Sequence, residues 1–187
     1  MIRVVLGAVF AVVAFSPLHA VTLSPMTFEQ LVAEATAVVY ARVSHVHGRW
    51  TADRRGIESV VTLDPLRYFK GHLGDGVELR VPGGEAGGLL QVFPGAPVLR
   101  EGDLIVAFLG SRGPSMPTLV GLTQGLFRVI VDRSSGAAHV TPPPLKASVA
   151  GKIVRGAAER RGLTIDAFAS EVHALLEAPF DSAQGRH

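Results

Sequence analysis

Two periods run through the apolar positions of this chain. From Ala37 to Val43 they alternate: Ala37, Val39, Ala41 and Val43 share one face, with Val38, Tyr40 and Arg42 on the other. Ile57, Ser59, Val61 and Leu63 repeat the alternation against Glu58, Val60, Thr62 and Asp64. The polar stretch between them, Thr51 to Gly56, ends in a glycine and predicts a long hairpin connection. Small residues on the inner face suit a tightly curved sheet, where bulky neighbours would collide. Pro65 has no amide hydrogen for a ladder and is expected to end regular pairing.

More strands follow. Val77, Leu79 and Val81 alternate with Glu78 and Arg80, and Leu89 to Phe93 is a short apolar run. Leu104 to Leu109 is apolar on both faces, which predicts the most buried strand. Leu119 to Leu122 and Leu126 to Val131 come next, with a bulge or bend expected at Gly125. Arg133 to Gly136 predicts a hairpin to a last strand around His139 and Val140. The glycine-rich stretch Pro82 to Gly88 matches neither the dinucleotide fingerprint nor the P-loop spacing, and reads as a strand connection.

The helical period occurs only near the ends. Thr27 can cap a short helix, with Gln30 three residues on and Phe28, Leu31, Val32 and Ala35 as its apolar stripe. Thr164 can cap a second, whose stripe is Ile165, Phe168, Ala169, Val172, Leu175 and Leu176 and which Pro179 ends. Many short strands, a helix at each end and no alternation of the two predict a mainly β fold. Its sheet should be mainly antiparallel and closed into a barrel, or strongly curved.

The first twenty residues read differently. Arg3 precedes an apolar run from Val4 to Phe15, and Ser16 to Ala20 ends in a small residue. Those are the three parts of a secretory signal peptide, expected to be cleaved after Ala20, and the run is short for a membrane span of about 20 residues. The expected organisation is therefore a signal peptide over 1–20, a β domain over 21–141 and a partly helical linker over 142–162. A helix packed on the sheet follows over 163–179, then a disordered tail over 180–187. No stable membrane insertion is expected after cleavage.

Composition narrows the function. The net charge of +2 includes Arg3, so the mature balance is near neutral and points to neither nucleic acid nor an anionic membrane. Aromatic residues are 6% of the chain, too few for an evident base-stacking platform. Cysteine is absent, which excludes a disulfide framework, thiolate metal sites and a cysteine nucleophile. No Gly-x-Ser-x-Gly elbow occurs and no carboxylate pair stands out, so no catalytic residue and no cofactor are assigned. His45 and His47 share a strand face, and with Glu58 on the partner strand they would make a zinc-ligand set. That set defines the alternative to a binding module, a metal-dependent hydrolase.

A resemblance adds to this reading. Val21 to Pro25, then Ala35 to Val43, Gly56-Ile57 and Tyr68-Phe69-Lys70-Gly71 resemble the start of the netrin-like domain of tissue inhibitors of metalloproteinases. Asp103 to Phe108 resembles that family's next core strand. The resemblance implies an OB-type five-stranded barrel with flanking helices, and a non-enzymatic exported module that binds another exported protein, such as a zinc protease. It also implies that Val21, through its α-amine, and Thr22, through its side chain, are the partner-binding residues. The family's amino-terminal cysteines are replaced here by Val21 and Leu23.

Overall fold

The computed structural model describes residues 24–111, 113, 115–143, 147–149, 152–154 and 162–178. The expected signal peptide, Val21, Thr22, most of the expected linker and the expected tail lie outside the described residues. The fold is mainly β, with one large mixed sheet, a short helix α1 (Phe28–Glu34) and a longer helix α2 (Ile165–Glu177). Both caps form as the sequence predicts: Thr27 and Gln30 make a reciprocal capping box, and the Thr164 hydroxyl accepts from the Ala167 amide.

The organising hairpin is longer than its alternation suggests. Strands β1 (Ala37–Trp50) and β2 (Ile57–Lys70) pair antiparallel over almost their whole length. Pro65 does not end this pairing; it sits within β2, opposite Ala41 and beside a register irregularity. Strand β3 (Val77–Pro82) pairs with β2 only from Glu58 to Leu63. Among the described residues no further strand lies on that edge of β2 beyond Leu63, so a residue without an amide hydrogen is tolerated there.

Strands β4 (Gly84–Ala86) and β5 (Leu89–Gln91) form a small separate hairpin. Strand β6 (Leu104–Gly110) pairs with the other edge of β1, and β7 (Thr118–Leu119) bridges β6 to β3. The hydrogen-bonded pairings thus run β1, β2, β3, β7, β6 and return to β1; the β3–β7 contact is parallel and a single residue pair. The expected strand Leu119 to Leu122 is shorter than its apolar letters imply. After Leu119 the chain enters a 3-10 turn over Leu122–Gly125, so Gly125 closes a turn and makes no strand bulge. Strands β8 (Leu126–Val131), β9 (Ala138–Thr141) and β12 (Leu163–Thr164) extend the sheet from β6, while β10 (Ala147–Val149) and β11 (Lys152–Val154), among the described residues, pair only with each other.

The sheet separates two apolar cores. Inside the circuit of strands, Val39, Ala41 and Val43 pack with Val61, Leu63, Leu79, Ile105 and Ala107. On the outer side, Val38, Phe69, Phe108 and Phe127 pack with Phe28 and Leu31 of α1 and with Phe168 and Val172 of α2. Strand β6 contributes to both, which is why its letters are apolar on both faces. Phe28 and Phe168 meet edge-on, with centroids 5.3 Å apart. Each buried side chain of this size stabilises the fold by about 2 kcal/mol. Leu176, the last position of the expected α2 stripe, is exposed instead.

Lys70 completes α1. The helix has no basic residue in its own last turn, and the Lys70 Nζ donates to the Val32 and Ala33 carbonyls at 2.6 and 3.2 Å. Partial burial lowers the Lys70 pKa below the usual lysine value.

Candidate functional site

The histidine pair forms on β1. A register shift between Val43 and His45 puts His45 and His47 on the same outer face, their rings stacked with centroids 5.6 Å apart. The carboxylate that reaches them is not Glu58. It is Glu101, whose Oε1 lies 2.7 Å from His45 Nδ1. Both partners of this contact are largely exposed, so it is worth at most about 1 kcal/mol.

Glu58 has a different task. The register sets Arg49 opposite Glu58; the Arg49 Nε donates to Glu58 Oε1 at 2.9 Å, and Nη2 lies 2.9 Å from the same oxygen as an ion pair. Arg80 Nη1 approaches the other oxygen at 4.0 Å. Two arginines therefore hold the carboxylate that the ligand set requires. Among the described residues no three His, Cys, Asp or Glu side chains converge as a metal site would need. The set His45, His47 and Glu58 is not assembled.

A different region gathers the features of a binding site. The stretch Pro82 to Leu99 contains one ionisable residue, Glu85. Its β4–β5 hairpin folds as a flap over the inner face of the β1–β2 hairpin. Gly83 N donates to the Ile57 carbonyl at 2.8 Å, the Ser59 hydroxyl donates to the Gly83 carbonyl at 2.8 Å, and the Gln91 Oε1 accepts from the Ile57 amide. The flap backbone lies so close to β1 that a Cβ on Gly48 would sit 2.0 Å from the Glu85 carbonyl oxygen. Contact this close is backbone on backbone and needs a glycine.

Beside the flap opens a cleft of about 650 Å³, a size typical of ligand sites, with Val46, Val61 and Val81 among its lining. Among the described residues that line it, Glu85 alone is ionisable. Trp50, Leu89, Leu90, Val92 and Val98 are five of the nine large hydrophobic residues exposed among the described residues, and all belong to the flap, the cleft or their border. Scattered single exposures need no explanation, whereas these five stand together in one region. The sequence signal was available: a long stretch with one charge, rich in Gly, Pro and aliphatic residues, is more than a turn needs.

The segment leading toward Val21 and Thr22 is anchored by a residue with no sequence signature. Gln124, only 3% exposed, accepts from the Met26 amide at 2.8 Å and donates to the Ser24 carbonyl at 3.0 Å. One side-chain amide thus clamps both sides of Pro25.

Comparisons of the chain with family models, with curated proteins and with solved structures gave no match. The netrin-like resemblance rests on the residues quoted for it alone.

Proposed function

We propose that this chain is an exported, non-enzymatic protein-binding module built on an OB-type barrel, and that the flap and cleft form its contact surface. The observation that carries the reading is the clustering of Trp50, Leu89, Leu90, Val92 and Val98 around a cleft with one ionisable lining residue. The barrel is supported by the pairing order β1, β2, β3, β7, β6 and back to β1, a circuit of five strands. Export is supported by the pattern of residues 1–20. The partner is another exported protein. Inhibition of a secreted metalloprotease through Val21 and Thr22 is one form of this function, and the Gln124 clamp on Ser24 and Met26 supplies some of the rigidity that a cysteine-free terminus lacks.

The test is affinity capture from the exported fraction of the producing cells, using the protein that starts at Val21 beside a flap variant, Leu90→Ser with Val92→Ser. Capture of one stoichiometric exported protein that the variant fails to retain supports the module. Equal capture by both proteins, or by neither, rejects it.

A further inference from the structure

We propose that β5 is an open sheet edge that takes an extended, uncharged peptide segment of a partner protein as an added strand. This inference rests on the reading of the chain as a binding module and names the chemistry of its partner.

The argument starts from the turn. Only Gly87 and Gly88 separate the paired residues Ala86 and Leu89, and both have positive φ, at 60° and 76°. That is the requirement of a type I′ hairpin turn. A pair closed by a two-residue turn exchanges both of its hydrogen bonds, and in an antiparallel ladder such pairs alternate with pairs that exchange none. The pair Glu85–Leu90 is next, so the N–H and C=O of Leu90 turn away from β4. Among the described residues neither group has another partner.

An open edge with these properties is a hazard that folded proteins normally blunt with charge, proline or a cover. Here it carries Leu89 and Leu90, with Leu90 73% exposed, and no charge stands on β5. The cleft adjoins the edge: Leu90 and Val92 line it, and so do Val98 and Leu99. Strand addition draws affinity from main-chain hydrogen bonds and specificity from pockets that take alternate side chains. The Leu90 amide and carbonyl supply the first, and the aliphatic side chains Leu90, Val92 and Val98 at the cleft the second. The single ionisable lining residue sets the character of the segment: extended, uncharged, with apolar residues at every second position.

The experiment is to pan a library of random ten-residue peptides, displayed on phage, against the purified folded protein. The expected enrichment is for uncharged peptides with alternating apolar residues. A synthetic representative should slow hydrogen exchange at the Leu90 amide at least tenfold, and methylation of its alternate backbone amides should weaken binding at least tenfold. Leu90→Pro should weaken binding similarly. The hairpin itself does not use that amide, and slow exchange at the Gly83 amide checks that the flap is still folded. Leu90→Lys keeps the amide and provides a second variant, which should discriminate against apolar peptides. No enrichment, a charged consensus, or binding that leaves the Leu90 amide exchanging freely would overturn the proposal. So would protection of Leu90 by dimerisation without peptide, which would make a second copy the occupant. If panning fails while flap-dependent capture of an exported partner succeeds, only the edge-pairing inference falls; if neither works, the module reading falls as well.

Discussion

Gly48 and Glu85 are bound to each other by the absence of a side chain. A Cβ on Gly48 would stand 2.0 Å from the Glu85 carbonyl oxygen and 2.8 Å from its carbon, so the flap lies on β1 only because nothing projects between them. Replacing Gly48 with valine should lift the flap and leave the two cores intact. The expected result is a loss of about 1–3 kcal/mol, the usual cost of overpacking. Hydrogen exchange checks its location: the Gly83 amide, bonded to the Ile57 carbonyl, should lose protection, while amides of β6 keep theirs.

The aromatic cluster between the sheet and the helices makes a second prediction. Phe168 is 2% exposed and its ring lies within 6.3 Å of the rings of Phe28, Phe69, Phe108 and Phe127. Phe168→Ala should cost about 3–5 kcal/mol, as other core aromatic truncations do. Chemical denaturation measures it, with an unchanged slope and a lower midpoint.

Much of this architecture was legible in the sequence. The alternation around Ala37 to Leu63 gave the hairpin, and the doubly apolar run from Leu104 gave the central strand. Thr27, Gln30 and Thr164 gave the helix starts, because caps are local chemistry. What stayed hidden depends on register or on distance along the chain. Glu58 looked free to join His45 and His47, yet a register shift at Val43 decides that Arg49 stands opposite it. Glu101 reaches His45 across 56 positions and Gln124 reaches Met26 across 98, and no periodicity reports such contacts. Pro65 misled because the rule against proline applies to residues whose amide must pair, and β3 has already left that edge.

The task of Glu58 can be measured. Its side chain is 15% exposed and lies between Arg49 and Arg80. Glu58→Gln should therefore destabilise the fold by up to about 1 kcal/mol, since its arginine partners are themselves well exposed to solvent. Arg49→Ala with Glu58→Gln should cost less than the sum of the two single changes, which a double-mutant cycle reads directly.

Acid should weaken the turn before β9. Asp132 accepts from the Ser134 hydroxyl and from the amides of Ser134 and Ser135, and these bonds hold its pKa down at about 2, against 3.8 for a free aspartate. A carboxylate depressed in the folded state contributes stability above its unfolded pKa and loses that contribution as pH falls through the folded value. Stability should thus decline between about pH 4 and pH 2, with Asp132→Asn flattening that part of the profile. Asp53, lowered by the Thr51 hydroxyl and the Arg55 amide, adds to the slope in the same direction. Thermal melts across this pH range provide the check.

The claim that the flap and cleft are the contact surface is tested most directly by photo-crosslinking in the cells that make the protein. A photoreactive phenylalanine analogue is placed singly at Leu90, in the flap, and at Ile130, which is also exposed but stands on β8 outside the cleft. The account predicts a discrete adduct with an exported protein from position 90 and none from position 130. Adducts from position 130 alone, equal adducts from both, or none from position 90 would contradict it.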